Sequence, residues 1–357
     1  MELDYKKNQS SFYGQIPNDW LVCSFEDVLD GFSSGMTPYR GKPEFYKGNI
    51  PWITSGELNY NTISDTHEKI TKEAVIKTNL KILPIGTFLM AITGLEAAGT
   101  RGSCGITGIK ATTNQSCMAL FPKDGKILSK YLYYFYVKYG NVLAFKYCQG
   151  TKQQSYTGRI VKILPINLPP NIEEQKSIAA ALSDIDELIT GLEKLISKKK
   201  DIKRGAMQQL LTPPHKGGKR LPGFSGEWEK KQLKNCLIYE QPSKYIVQNS
   251  DYEGQSQTPV LTAGKSFLLG YTDEDFGIYD NLPVIIFDDF TTSSQFVNFN
   301  FKVKSSAMKM LKPVDNSVDI KFIFSLMNLI NFSIGDEHKR RWIAEYSEQI
   351  IYVPKID

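Results

Sequence analysis

The chain repeats itself once, and this constrains its architecture more than any other feature. Trp20 in "DWLVCSFEDVL" is followed nine residues later by Leu29, and Trp228 in "EWEKKQLKNCL" nine residues later by Leu237, an offset of 208. At the same offset "PWITSG" (51–56) becomes "PVLTAG" (259–264). Further on the offset falls to 191, where "CMALFPKDGKILSKYLYYF" is echoed by "AMKMLKPVDNSVDIKFIFSL". It falls to 185 where "ILPINLPPN" is echoed by "QIIYVPKID". Order is kept while spacing drifts, as when two domain copies diverge by loop deletion; the second is about twenty residues shorter. A chain of 357 residues suits two or three domains, and each half is long enough to bury its own core.

Each copy reads as α+β. Short β-rich runs such as "GTFLMAIT" and "LPVIIFDDF" alternate with turn signals. A helix follows, "SKYLYYFYVKY" in the first copy and "IKFIFSLMNLI" in the second, and a final strand, "ILPINLP" or "QIIYVP", closes each. The aromatics of "YLYYFY" could stack on bases. The core-like counterpart "FIFSLM" favours a helix packed on a sheet.

Between the copies, residues 172–211 predict one long helix. Ile178, Ile185 and Leu192 share a heptad position that ends at Ala206. Ala181, Leu188, Leu195 and Ile202 fall on the partner position, and Leu182, Ile189 and Ile196 widen the stripe. The expected pairing residues are Ile178, Ile185, Leu188, Leu192, Leu195 and Ile202. Thr212, Pro213 and Pro214 end the helix. Its first half carries Glu173, Glu174, Asp184, Asp186, Glu187 and Glu193 against Lys176 alone. Its second half carries Lys194, Lys198, Lys199, Lys200, Lys203 and Arg204 against Asp201. This polarity suits the helix dipole, and it equally suits an antiparallel partner of similar sequence. The expected organisation is 1–170, first domain; 171–213, spacer helix; 214–357, second domain.

Composition excludes several chemistries. Five cysteines, an odd number without C-x-x-C, argue against a disulfide framework or zinc site and fit a reducing cytoplasm. Three scattered histidines give no metal-ligand pattern. No apolar run approaches the roughly 18 residues of a membrane span, and "MELDYKKNQSSFYGQ" lacks the apolar core of a signal peptide. The expectation is a soluble cytoplasmic protein without membrane contact. No P-loop, no G-x-G-x-x-G after a strand and no Asn-Pro-Pro-Tyr methyltransferase motif occurs. "PVDNSVDIK" (313–321) superficially resembles a nuclease set, but its acids are closely spaced and Leu128 stands opposite Asp319 in the first copy. It reads as a turn before a helix. No catalytic residue, bound metal or bound cofactor is expected. Magnesium-dependent cleavage by the isolated chain would overturn that expectation.

A net charge of +5 permits a nucleic-acid partner without demanding one. The loop "TGLEAAGTRGSCGITG" (93–108) combines five glycines with Thr93 and Arg101, and Lys110 follows it. Exposed amides with Arg and Lys suit phosphates, although a plain flexible loop fits equally. The counterpart "DDFTTSSQFVNFNFKVKSS" has no glycine but carries Thr291, Thr292, Ser293, Ser294, Gln295, Lys302 and Lys304. Lys265 follows the second copy's "TAG". A second polar cluster precedes each final strand: Lys152, Gln153, Gln154 and Arg159 in "QGTKQQSYTGR", and Lys339, Arg340 and Arg341 in "EHKRRW". Gln and Arg suit adenine and guanine edges, and Lys neutralises phosphate. Each residue taken singly reads as solvated surface. The alternative is a tandem protein-binding scaffold, which would show no steep salt dependence toward duplex DNA.

The order "PWITSGEL", "GTFLMAIT", "TTNQSCMALFP", "INLPPNIEEQKSIAAALSDIDELI" and "MQQLLT…KRLPGFSGEWE" resembles the specificity subunit of type I restriction–modification systems along essentially the whole chain. Most distinctive are Pro170, Glu174, Gln175, Ile178 and Ala179 at the start of the helix, and "LPGFSGEW" ahead of the second domain. The resemblance implies two target-recognition domains, each reading half of a split double-stranded DNA target, with the helix fixing the unread spacer. It implies recruitment of adenine-N6 methyltransferase (M) and restriction (R) nuclease/translocase subunits, which carry S-adenosylmethionine, ATP and Mg. It implies no catalysis by this chain. In the family a second helix follows the second domain, whereas this sequence stops at Asp357. The expectation is replacement in trans by a second copy or a separate helix fragment; a deletion, frameshift or trimmed boundary stays equally open.

Overall fold

The computed structural model describes residues 16–96, 99–150, 154–249, 257–264, 266–333 and 341–355. The chain divides into two units, Met1–Leu192 and Glu193–Asp357, with the boundary inside one long helix. Both units are α+β, as the alternation of short β-rich runs with single helices predicts.

Unit 1 runs β1 (Leu21–Ser24), α1 (Phe25–Val28), β2 (Leu29–Ser34), β3 (Ile50–Ile53), β4 (Asn61–Ile63), β5 (Glu68–Ile70) and α2 (Lys72–Lys77). It continues with β6 (Phe88–Ala91), β7 (Cys104–Thr107), β8 (Thr112–Thr113), β9 (Cys117–Pro122), α3 (Ser129–Tyr147), α4 (Gly158–Ile163) and β10 (Pro165–Leu168). The strands form a sheet of order β2-β9-β6-β7-β4, a sheet β5-β3-β8 and a pair β1-β10. Helix α5 (Ile172–Leu210) follows.

Unit 2 repeats the plan with β11 (Trp228–Gln232), β12 (Leu237–Glu240), β13 (Thr258–Leu261), β14 (Leu268–Thr272), β15 (Val284–Asp288) and β16 (Ser294–Val297). Then come β17 (Lys302–Val303), β18 (Met308–Pro313), α6 (Ile320–Met327), α7 (Arg341–Ala344) and β19 (Ile350–Pro354). Its sheets are β12-β18-β15-β16, β14-β13-β17 and β11-β19. "PWITSG" and "PVLTAG" hold the matching strands β3 and β13, each antiparallel to the next strand of its sheet and parallel to a two-residue strand. The central strands pair in the same register, Phe88 with Leu120 and Ile285 with Leu311. The final strand of each copy returns antiparallel to the first. Strand β4 and helix α2 have no counterpart among the described residues of unit 2, which accounts for part of the difference in length.

The cores form where patterning places them. All four residues of β6 are buried, and Phe88 meets Tyr136 of α3 edge-on at 5.6 Å. Tyr131, Leu132, Tyr133, Phe135 and Tyr136 are buried, so the run "YLYYFY" is core packing and not a stacking platform. In unit 2 Phe287 lies 5.3 Å from Trp342 and 4.8 Å from Tyr346. In "PVDNSVDIK", Asp315 accepts from the Ser317 N–H and Asp319 caps α6 through the Phe322 N–H, so it is a turn before a helix.

The motif at the start of α5 is a docking device. Gln175 is 0 % exposed. Its carboxamide donates to the carbonyls of Lys126 and Pro169, both at 3.0 Å, and accepts from the Leu128 N–H at 3.1 Å. The Trp20 indole donates to Glu174 (3.1 Å), Ile178 packs against the core of unit 1, and Ala179 is buried. One turn on, the Tyr134 hydroxyl donates to Asp186 (2.8 Å) and Lys130 to Ser183 (3.1 Å). Unit 1 therefore holds the face through 175, 179, 183 and 186. The heptad stripe on the adjoining face is exposed at Ile185, Leu188, Leu192, Leu195 and Ile202.

Candidate nucleic-acid interface

Unit 1 brings together two polar segments that lie about fifty residues apart in the sequence. The glycine-rich loop leaves β6 at Ile92, and the glutamine-rich loop follows α3. The Tyr156 N–H donates to the Ile92 carbonyl (2.9 Å), Thr93 bridges to Ser155, and the Leu95 N–H donates to the Gln154 carbonyl (3.2 Å). The Gln154 N–H in turn donates to the Glu96 carboxylate at 3.1 Å. Arg159 is exposed one residue into α4, whose cap Thr157 accepts from the Ile160 N–H. Thr93, Arg101 and Gln154 thus belong to this joined pair of loops, and Arg159 follows them at the start of α4. Lys152 and Gln153 lie outside the described residues. Lys110 is exposed, but it follows the other end of β7 from Arg101.

Arg101 is partly committed to shaping the loop. It donates to the carbonyls of Leu95 and Glu96, both at 3.0 Å, and its guanidinium lies 5.5 Å from the Phe145 ring centre. Thr100 donates to the Gly94 carbonyl. Gly102 sits at φ 75°, and a Cβ there would meet the Asn141 backbone nitrogen at 2.3 Å. Glycine is required at that crossing with α3. The described part of the loop is braced by these bonds.

In unit 2 the equivalent loop joins β15 to β16. Asp288 accepts from the N–H groups of Phe290 (2.8 Å) and Thr291 (2.9 Å), and its own N–H donates to the Ser293 carbonyl (2.9 Å). Thr291 is exposed; Thr292, Ser293 and Gln295 are half-buried. A cleft of about 460 Å³ is lined by Ala263, Gly264 and Thr292–Gln295 on one side and by the end of α6 on the other. Lys304 is exposed just past β17. Lys265, Lys339 and Arg340 lie outside the described residues.

Two basic residues read from the sequence as surface donors belong to the interior. Arg341 is 5 % exposed, because Trp342 beside it is packed into the aromatic cluster and carries α7 inward. Lys302 is 0 % exposed; it pairs with Glu274 at 2.8 Å, donates to the Phe276 carbonyl at 2.6 Å and lies over the Phe276 ring. Desolvation pushes the Glu274 carboxyl up, but Lys302 and the N–H groups of Asn249 and Gln248 outweigh it and hold it below the usual carboxylate range. Such a depressed group stabilises the fold above its unfolded value, about 4.3, and that stability is lost as pH falls through the lower folded value. Lys302→Met should flatten the dependence of unfolding free energy on pH between about 5 and 2. An unchanged slope in urea titrations would show that the pair makes no such contribution.

Sequence reasoning missed Asp288, Asp289 and Lys309. Asp289 and Lys309 are buried and paired at 3.0 Å. The available signal was a lone Lys inside the apolar strand "MKML" and two acids ending "VIIFDD". Among the described residues no group of three or more His, Cys, Asp or Glu is placed to hold a metal, and no helix is long and apolar enough to cross a membrane. The cysteines are poor nucleophiles: burial pushes the thiols of Cys23 and Cys104 up to about 12 and that of Cys148 up to about 11.

Residues 17–204, more than half of the chain, match the profile described as "Type I restriction modification DNA specificity domain". The chain is 48 % identical over 141 residues to the type I restriction enzyme EcoR124I/EcoR124II specificity subunit of Escherichia coli, covering 38 % of this chain and 34 % of that protein. It is 35 % identical over 185 residues to the MjaIX specificity subunit of Methanocaldococcus jannaschii, covering 51 % and 41 % respectively. The chain thus spans well under half the length of either of these relatives. Its fold is similar to the crystal structure of a type I restriction-modification S subunit from M. genitalium, with a TM-score of 0.66 at 16 % identity, over 96 % of this chain and 87 % of that one.

Proposed function

The chain belongs to the type I restriction-modification DNA specificity family, and from that membership we propose that its two units each read one half of a bipartite duplex target. The observation that carries this reading is the repeated scaffold with unlike loops at one place. After β6 stands a braced, glycine-rich loop with Arg101; after β15 stands a loop of Thr, Ser and Gln without glycine. Matching strands in the two copies with unlike donor sets at their ends suit two readers of different bases. The chain itself performs no catalysis in this proposal. It recruits M subunits that methylate adenine N6 with S-adenosylmethionine and R subunits that use ATP and Mg, in the cytoplasm. The second reading, a tandem protein-binding scaffold, draws on the same polar loops but predicts no DNA affinity.

Mapping N6-methyladenine in the host genome would reveal the target, and duplexes carrying it would then be titrated with the chain. Replacing residues 1–170 with the first domain of another family member should change one half-site and leave the other intact. Altered recognition at both half-sites, or no sequence preference at all, would sink the proposal.

Helix α5 fixes the unread spacer, and its exposed stripe pairs antiparallel with α5 of a second copy. In the register centred on Thr190, Ile185 meets the partner's Leu195 and Leu188 meets the partner's Leu192, each layer occurring twice. The double substitution Leu188→Glu and Leu192→Glu places four charges in that seam. It should weaken self-association by at least about 100-fold in sedimentation equilibrium. A wild-type chain that sediments as a monomer at every concentration would refute the pairing.

A further inference from the structure

The buried Asp289–Lys309 pair occupies a position that unit 1 fills with apolar side chains. Register sets the correspondence. Met90 pairs with Met118 in unit 1 where Phe287 pairs with Lys309 in unit 2. The residue after each central strand makes the same bond: the Ile92 N–H donates to the Ser116 carbonyl (2.9 Å), and the Asp289 N–H to the Ala307 carbonyl (3.0 Å). Lys309 therefore stands where unit 1 has Met118, and Asp289 where it has Ile92. All four are buried.

The comparison separates folding from another purpose. Charges removed from water carry a desolvation cost that their attraction only partly offsets, and apolar replacements of similar size are often neutral or stabilising. Unit 1 shows that this scaffold closes with Ile and Met at these positions. What the carboxylate adds is directional. Asp289 accepts from the Trp342 N–H at 3.0 Å through one oxygen and from Lys309 at 3.0 Å through the other. Lys309 also donates to Gln241 (3.1 Å) and to the Ser306 carbonyl (3.4 Å). In unit 1 the corresponding link is made by backbone, the Tyr156 N–H to the Ile92 carbonyl.

We infer that Asp289, held by Lys309, is a positioning residue for DNA reading by unit 2. It fixes the entry to the loop 290–295 against the start of α7 at Trp342. This rests on the DNA-reading proposal above. It assigns to unit 2 a side-chain clasp where unit 1 uses main chain.

The test uses the full 357-residue chain and duplexes carrying single-base changes in either half-site. The variant D289I/K309M installs the unit 1 pair. It should fold cooperatively, keep full discrimination in the half-site read by unit 1, and lose at least tenfold discrimination in the other. The variant D289N/K309M keeps an oxygen for the Trp342 N–H without a buried charge and should retain discrimination in both. Unchanged discrimination in D289I/K309M would overturn the inference. So would failure of that variant to fold, which would make the pair structural. Loss in a folded D289N/K309M equal to that in D289I/K309M would also overturn it. Absence of sequence-specific binding by the wild-type chain would instead refute the DNA-reading proposal beneath it.

Discussion

Raising monovalent salt from about 50 to about 200 mM should weaken binding of the chain to its duplex target by about 10³- to 10⁴-fold. Each neutralised phosphate releases condensed counterions, so the logarithm of affinity falls with the logarithm of salt at a slope of about −0.9 per contact. With Arg341 buried, the basic candidates are Arg101, Lys110, Lys152, Arg159, Lys265, Lys304, Lys339 and Arg340. If six to eight of them meet phosphates, the slope lies near −5 to −7. Fluorescence anisotropy with a labelled duplex across that range measures it directly. A slope shallower than about −2 would favour the protein-binding scaffold, because such contacts release few ions. Arg341→Gln should leave the slope unchanged, whereas Lys304→Gln should reduce it by about one.

Gln175→Ala should cost unit 1 at least about 3 kcal/mol of stability. The carboxamide makes three hydrogen bonds in a site closed to water, to the Lys126 and Pro169 carbonyls and the Leu128 N–H. Truncation leaves all three backbone groups unpaired, at about 1–3 kcal/mol each, and opens a cavity besides. These bonds fasten the first turn of α5 to the start of α3 and the end of β10. The same change should therefore accelerate amide exchange over residues 172–186 more than over the β6–β9 strands. Urea unfolding followed by hydrogen exchange checks both parts. A loss below about 1 kcal/mol would mean that Glu174, Ile178 and Ala179 seat the helix without it.

Much of this arrangement is written locally. Heptad spacing specifies α5 because period 3.6 needs no distant partner, and the acid-to-base gradient along it is read by counting. The repeat is legible because Trp20, Trp228, Leu29 and Leu237 recur at matching places at or beside the starts of matched strands. Even the Glu-Gln-x-x-Ile-Ala signature marks a docking point, although only the closed geometry shows that the glutamine does the fastening.

Polar residues were less transparent. Lys302, Lys309 and Arg341 carry the same charge as Arg159 and Lys304, yet the first three are interior and the last two exposed. Charge alone does not distinguish them, and the apolar neighbours of Lys309 and Arg341 do not name the group that pairs with each. A buried cation needs a carboxylate or carbonyl within reach, and Glu274 and Asp289 come from other strands and turns. The joining of the loops after β6 and α3 is likewise non-local, since bonds between Thr93, Leu95, Gln154 and Ser155 span about sixty residues.

The sequence by itself therefore determined the duplicated α+β plan, the long helix with its apolar stripe and charge gradient, and the resemblance to type I specificity subunits. Each follows from short-range periodicity or from order along the chain. Only the tertiary structure decided which cations are buried, which polar loops meet, and where a carboxylate replaces main chain in holding them. Those depend on strand register and desolvation, which bring together residues that the chain keeps far apart.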